Sequence, residues 1–218
     1  MTKAYIIGLL MALTSLVNAQ DVKFGVYIAP QFSWFSPEAK EVKTDGSIVK
    51  LSGGLVVNKF FAENYAISTG LAIAGQGGKL SYSANANNSL EIYDSTYNLS
   101  GKTVKYSTQY INVPLGLRLQ SNEIGYMRFH VLVGFTNQFN IGAKATDLTD
   151  SDFEDDDIKA EVNLYNLGYY FGGGIDYALG EDTSAFLTIV YESGFTDVLK
   201  SDPRINSRVI SLRVGINF

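Results

Sequence analysis

Apolar and polar side chains alternate along most of the chain from Asp21 onward, in segments of roughly ten residues or more. Successive side chains of a β-strand point to opposite faces, so a period of two predicts strands with one apolar and one polar face. No apolar run reaches the roughly 18 residues expected of a membrane-spanning helix. The pattern recurs about eight times and predicts an all-β chain.

The last segment shows the alternation most clearly. One face carries Ile210, Leu212, Val214, Ile216 and Phe218, and the other carries Ser211, Arg213, Gly215 and Asn217.

The lengths of the connections between the predicted strands also alternate. Three links of about four to six residues carry turn formers such as Glu63-Asn64. Four long polar links fall at residues 36–47, 77–105, 145–161 and 195–207.

Tight turns alternating with long loops are typical of antiparallel up-and-down barrels in an outer membrane, where the loops lie outside. With an even number of strands, both ends of the barrel domain lie on the turn side. A soluble barrel would also alternate, with its apolar face inside. The polar face here is small and rich in glycine, as the inside of a narrow tube requires, so the apolar face is expected to meet lipid. The prediction is an eight-stranded antiparallel up-and-down transmembrane β-barrel.

The first residues are typical of an export signal. Lys3 precedes an apolar run, and Val17-Asn18-Ala19 supplies small residues at alternate positions. We expect residues 1–19 to be a cleaved signal peptide and residues 20–218 to be a single outer-membrane barrel domain. A buried N-terminal helix is the alternative.

Composition narrows the possible chemistry. The chain has 218 residues, no cysteine and one histidine, which excludes disulfides, thiolate metal sites and cysteine nucleophiles. The formal net charge of -5 offers no basic surface for a nucleic acid partner. No cofactor, metal or catalytic residue is predicted, and the chain is not expected to be an enzyme.

The ionisable residues of the polar face are predicted to form a structural network inside the lumen. These residues are Lys50, Arg118, Arg128, His130, Asp176, Glu192 and Arg213. An eight-stranded barrel is about wide enough for its own side chains, which favours ion pairing over an open pore. The alternative is an acid–base site at the rim, but His130 falls too deep along its strand for that role.

Two further groups have open interpretations. The acidic residues from Asp147 to Asp157 offer oxygen ligands for calcium but lack the spacing of an EF-hand, so a solvated loop is favoured. The strand aromatics are expected to form interfacial girdles, and the loop tyrosines to be exposed for a partner. The proposed girdle residues are Tyr106, Tyr110, Phe135, Phe139, Tyr165, Tyr169 and Tyr191, and the proposed exposed residues are Tyr82, Tyr93 and Tyr97.

Four segments resemble a known family. The segment from Tyr110 to Leu119, with Ser68–Leu71, Val131–Phe135 and Gly172–Tyr177, resembles the PorT-like outer-membrane β-barrels of Bacteroidetes. The terminal segment ending in Phe218 is similar to the signal that barrel-assembly machinery reads. The resemblance implies a barrel fold of the same eight-stranded type as OmpA, and one group within that family is implicated in protein secretion.

The expected role is a non-enzymatic structural or interaction component of the outer membrane, with a filled lumen. Its expected partners are outer-membrane lipids, the assembly machinery and an envelope or secretion protein. The alternatives are a narrow porin for ions or small solutes and an accessory component of secretion.

Overall fold

The computed structural model describes residues 22–93, 95–200 and 204–218. The predicted signal peptide, residues 1–19, lies outside the described residues. Among those described, no helix is long and apolar enough to cross a membrane.

Strands account for most of the described chain. They are β1 (Val22–Pro37), β2 (Val42–Gly46), β3 (Ile48–Ala62), β4 (Tyr65–Tyr82), β5 (Ser89–Ile92), β6 (Ser95–Asn98), β7 (Thr103–Gln120), β8 (Met127–Asp147), β9 (Asp156–Asp157), β10 (Tyr165–Ala178), β11 (Ser184–Gly194) and β12 (Ile205–Asn217). A short 3-10 helix covers Lys159–Glu161.

Eight of these strands close into a barrel in which every neighbouring pair is antiparallel. The order around the wall is β1, β3, β4, β7, β8, β10, β11 and β12, and β12 pairs with β1. Closure pairs every barrel strand on both sides, although the β3–β4 pairing begins only at Ser52 and Ala74. Tight links join β3 to β4, β7 to β8 and β10 to β11, at the end where β1 begins and β12 finishes. The predicted eight-stranded antiparallel barrel is confirmed.

The apolar face of the wall points outward. Large apolar side chains on every barrel strand are between about two-fifths and two-thirds exposed, and they form a continuous band around the barrel. Members of this apolar band include Ile28 and Phe32, Leu51 and Leu55, Leu71 and Ile73, Leu115, Phe129 and Phe135, Phe171, Ile189 and Leu212. Such a surface is unfavourable in water and suits the hydrocarbon core of a membrane.

Glycines on the inner face make room for large side chains. Gly116 and Gly134 lie opposite each other on β7 and β8. A Cβ atom at Gly116 would lie 2.5 Å from the Tyr170 hydroxyl, and one at Gly134 would lie 2.9 Å from it. Because these positions lack side chains, the Tyr170 ring can cross the narrow lumen.

Beyond the apolar band, at the loop end, the direction of the alternation is reversed. The barrel strands continue outward, but there their apolar side chains point inward and pack with residues from the long links. We call this assembly the cap. Its core contains Phe35, Val42, Leu80, Tyr82, Ala86, Leu90, Ile92, Leu99, Val104, Tyr106, Ala143, Ala145, Phe153, Ile158, Val162, Val198, Leu199 and Ile205.

A β-bulge contributes to this reversal on β8. Gln109 pairs with Gly142 and Tyr110 pairs with Asn140, so Ile141 is left as an extra residue. Ile141 is 39% exposed on the outer wall, whereas Ala143, two residues later, is 3% exposed. The bulge therefore places residues of the same parity on opposite faces of one strand.

The reversal corrects several predictions about tyrosines. Tyr106 and Tyr110, expected in an interfacial girdle, are buried inside the barrel. Tyr82, expected to be exposed, is buried with its hydroxyl 2.7 Å from that of Tyr106. Tyr97, also expected to be exposed, packs edge-on against Phe153 with ring centroids 5.3 Å apart. The other girdle aromatics lie on the outer wall, where Phe139 and Tyr165 form a ring pair.

Candidate functional site

The lumen contains a buried polar cluster near the turn end. The Arg118 guanidinium donates to Asp176 Oδ2, and His130 Nδ1 lies 2.8 Å from the same oxygen. His130 Nε2 lies 2.8 Å from the Thr188 hydroxyl. Asn217 donates to the other Asp176 oxygen at 3.1 Å. The strands β7, β8, β10, β11 and β12 each supply one of these residues, so the cluster ties five strands together.

The geometry of His130 leaves it little freedom to react. Its side chain is 0% exposed, and both ring nitrogens have hydrogen-bond partners. An ionised Asp176 can only accept, so Nδ1 carries a proton in this arrangement and Asp176 fixes the orientation of the ring. The surroundings are those of a structural histidine within a satisfied polar network.

The middle of the lumen is filled by aromatic rings and Arg213. The Arg213 guanidinium carbon lies 5.2 Å from the centroid of the Tyr27 ring, within the range of a cation–π contact. The cavity beside them, which Tyr170 and Phe186 also line, has a volume of about 30 Å³. That volume accommodates one or two water molecules and no larger solute.

A second polar layer lies nearer the loop end and is centred on Glu192. The Gln138 amide donates to Glu192 Oε1 at 2.6 Å, and the Gln76 amide donates to the same oxygen at 3.4 Å. Glu192 is on β11 and Gln76 is on β4, which is the fourth strand away in either direction around the wall. This layer therefore spans the full width of the barrel.

Two members of the predicted network lie apart from these layers. Arg128 is at the turn-side mouth, where it forms an ion pair with Glu123 at 2.7 Å and is part-exposed. Lys50 is part-exposed, and its side chain lies in the gap between β3 and β4, beside Gly75. The other five residues occupy the lumen, and Arg118, His130 and Asp176 are in direct contact. The sequence prediction did not include Gln76 and Gln138, whose inward parity was the available signal.

Phe218, the terminal aromatic residue, lies at the barrel seam. Its backbone exchanges two hydrogen bonds with Phe24, at 2.8 and 3.0 Å, and its side chain is 56% exposed. The first and last barrel strands are therefore joined up to the final residue.

Beyond the apolar band, the acidic residues of the link after β8 converge on one lysine. Lys102 Nζ lies 2.8 Å from Asp147 and 3.2 Å from Asp150, and it also contacts Asp152. We call this group the Lys102 clasp. It joins the start of β7 to the link after β8, two segments of the cap. The Lys102 ammonium lies among three of the seven carboxylates that the sequence offered to calcium, and no sequence signal links Lys102 to them.

The charges of the clasp are mutually stabilised. Hydrogen bonds from Lys102 to Asp147 and Asp152 raise the pKa of the Lys102 ammonium above its ordinary value. Burial opposes ionisation of Asp147, but hydrogen bonds from Lys102 and from the backbone N–H groups of Thr149 and Asp150 outweigh it and lower the pKa of this carboxyl. Both groups therefore favour their charged forms.

Among the described residues of the cap, Tyr93 is the most exposed aromatic side chain. Tyr93 follows β5 at the tip of the β5–β6 hairpin, and it is 81% exposed. Its φ of 53° lies in the left-handed region, which is uncommon for a residue other than glycine. Of the three loop tyrosines expected to be exposed, Tyr93 is the one that the structure places there.

Comparison with known proteins gives a family and a set of similar folds. Residues 18–200 match the family model described as outer membrane protein beta-barrel domain. No curated protein sequence matches the chain. Ail, the attachment invasion locus protein of Yersinia pestis, is 13% identical with a TM-score of 0.44, and the match covers 91% of this chain and 99% of Ail.

Two other solved structures are similar to the same degree. Neisserial surface protein A is 11% identical with a TM-score of 0.46, covering 89% of this chain and 95% of that one. OprG from Pseudomonas aeruginosa is 14% identical with a TM-score of 0.43, covering 88% and 94%. At these identities the likeness concerns the fold alone.

Proposed function

The chain belongs to the outer membrane protein β-barrel domain family, and on that premise we propose that it is a non-enzymatic outer-membrane barrel acting as a structural or interaction component of the cell envelope. Its lumen does not conduct solutes. The supporting observation is that side chains cross the lumen at the Glu192 layer and that the cap core covers its outer end.

The apolar band and the family both support an outer-membrane location. In this proposal residues 1–19 direct export and are removed, and the barrel-assembly machinery recognises the terminal strand with Phe218. Outer-membrane lipids contact the apolar band. These partners follow from the chemistry of the barrel surface and from the proposed route of its insertion.

The proposal includes no catalytic activity. A rim acid–base site needs an accessible histidine or carboxylate pair, whereas His130 is buried near the turn end with both nitrogens occupied. Glu192 is 8% exposed and accepts from two glutamine amides. Both residues serve the stability of the barrel in this proposal.

The surface proposed to engage a partner is the cap, with Tyr93 at its tip. Tyrosine offers a large amphipathic contact area at low entropic cost, and an aromatic residue held in an uncommon backbone conformation is typical of functional positions. The cap core would hold the hairpin rigid, so the loop would present a fixed surface.

Two measurements on the purified protein test this proposal. Electrophoresis with and without boiling in detergent should show the mobility shift of a closed barrel in the outer-membrane fraction. In planar bilayers the wild-type protein should then show no steady single-channel openings, with protein-free detergent as the control. Reproducible openings would contradict the closed lumen and favour the narrow porin.

A second candidate follows from the PorT-like resemblance of the segment from Tyr110 to Leu119. In this version the barrel is an accessory component of protein secretion in Bacteroidetes. Mild extraction, size separation and identification of the co-migrating proteins distinguish the candidates. Co-migration with protein-secretion components, lost on Tyr93→Ala but kept on Tyr65→Ala at the turn end, would favour the secretion role.

A further inference from the structure

A groove of about 400 Å³ lies on the outer wall just beyond the apolar band. It crosses β3, β4, β7 and β8, and its lining includes Lys50, Gly75, Ser107, Gln109, Lys144 and Asp157. At Gly142 the nearest atom to a Cβ position is Gln109 Oε1, 4.0 Å away, so the floor is open there, whereas the Lys50 side chain lies over Gly75. The wall therefore presents a recess that a ligand group could enter from outside.

The depth of the groove places it at a membrane interface. Leu51, Ile73 and Ile141 are exposed apolar side chains next to the groove, at 66%, 55% and 39% exposure, and on β3 the apolar face ends at Val49, which is 63% exposed. Hydrocarbon would end at these residues, so the groove would lie at the level of lipid headgroups. A lipid could then place its chains on the apolar band and its headgroup in the recess.

Four lysines lie in or beside the groove. Lys79 and Lys105 lie directly opposite each other on β4 and β7, and Lys144 faces Ser107, two residues from Lys105. Like charges placed directly opposite each other destabilise a sheet unless an anion compensates them. Within the described parts of the chain, neither these lysines nor Lys50 forms an ion pair with a carboxylate. Asp157, in the lining, lies opposite Lys144, and Asp155 accepts a hydrogen bond from Thr146, which pairs with Lys105.

We infer that this groove binds the phosphate-bearing headgroup of a lipid in the outer leaflet. The headgroup phosphate lies between Lys50 and Lys144, with Lys79 and Lys105 adding to the positive potential. Ser107 and Gln109 offer additional hydrogen bonds to phosphate or sugar oxygens. The inference rests on the proposed outer-membrane location and adds a specific lipid site to it.

The test is lipid binding to the purified barrel in non-ionic detergent, measured by native mass spectrometry. The probes are a bisphosphorylated lipid A, a diacylglycerol without phosphate, and inorganic phosphate. The test variant is Lys50→Gln with Lys144→Gln. The matched control is Lys23→Gln with Lys40→Gln, which removes the same charge outside the groove lining.

The wild-type protein and the control variant should each retain one lipid A molecule in preference to diacylglycerol. The test variant should bind it more weakly, by about fivefold for each lysine removed. Equal binding by the test variant, or equal loss in the control, would overturn the inference. Saturation by inorganic phosphate at the same concentration would also overturn it, since the chains would then contribute nothing.

The state of the barrel is checked in the same samples. If the test variant keeps its heat-dependent gel mobility and its lack of conductance, weak lipid binding reports on the groove alone. If the variant misfolds, Asp157→Asn provides a second test, because removing the nearby negative charge should strengthen lipid A binding. Weaker binding in that variant would count against the inference. Neither lipid result changes the test of the closed lumen.

Discussion

The amide of Gln76 reaches Glu192 across the barrel, with Nε2 and Oε1 3.4 Å apart, although the two residues lie on opposite walls. A contact of this kind is possible only where the lumen is as narrow as two side chains. Gln138 donates to the same oxygen from a third strand. The layer therefore links distant parts of the wall and blocks the lumen at one level.

Removing the acceptor of this layer should destabilise the barrel. Glu192→Ala leaves the Gln76 and Gln138 amides without their partner, and we expect a loss of about 2 kcal/mol, the cost of buried donors left without an acceptor. The measurement is the temperature at which the compact gel form converts to the unfolded form. Glu192→Gln keeps the volume and one acceptor oxygen and should lower this temperature less. Equal temperatures for Glu192→Ala and the wild type would contradict a structural role.

The cap should loosen when its apolar core is reduced. Phe35 is 0% exposed within the cap core, whereas Phe32, on the same strand, is 53% exposed on the outer wall. Truncating a buried phenylalanine costs about 3–5 kcal/mol. Phe35→Ala should therefore speed chymotrypsin cleavage of the link between β4 and β7 at Leu90 and Leu99, which are buried in the cap core, while the barrel remains folded. Phe32→Ala is the matched control and should leave cleavage unchanged. If both variants are cleaved alike, the cap is not held by its core.

The Lys102 clasp should hold two links of the cap together. Lys102→Met leaves the buried carboxylate of Asp147 without its cation, and breaking a buried pair in this way costs about 3 kcal/mol. We expect faster cleavage by Glu-C protease within residues 150–157. Lys40→Met, at an exposed site in the link between β1 and β2, should have no such effect. If Glu-C protease cleaves the Lys102→Met variant no faster than the wild type, Lys102 does not hold the two links together.

The clasp should also set the pH range of the closed cap. The pKa of Asp147 is lowered on folding. Its contribution to the stability of the cap is therefore present above the ordinary pKa of 3.8 and is lost as the pH falls through the lower pKa of the folded state. The pKa of Lys102 is raised on folding. Its contribution to the stability of the cap is therefore complete below the ordinary pKa of 10.5 and is lost as the pH rises through the higher pKa of the folded state. The cap should stay closed throughout the range between these limits.

The backbone N–H groups of Thr149 and Asp150 donate to Asp147 and can report this titration. Their NMR shifts in micelles should change with a midpoint below 3.8, and Lys102→Met should move that midpoint upward. A wild-type midpoint above 3.8 would show that the clasp does not stabilise the carboxylate.

The sequence determined the barrel because its information is local. Alternation such as that from Ile210 to Phe218 defines two faces on each strand, and turn formers such as Glu63-Asn64 mark the tight links. The small, glycine-rich polar face then indicates that the apolar face meets lipid. These signals require no knowledge of which strands meet across the lumen. For this reason the number of strands, the end of the barrel at which the chain begins and finishes, and the face that points outward were predictable.

Only the tertiary structure decided the cap and the contacts inside the barrel. A period of two is the same whether apolar residues point outward, as at Ile73, or inward, as at Leu80, so the pattern could not reveal the reversal beyond the apolar band. The bulge at Ile141 shifts the phase without a sequence signal. Lys102 and Asp147 are 45 positions apart, and Gln76 and Glu192 are 116 apart. Such pairs meet because the closed wall brings distant strands together, and no local pattern encodes that closure.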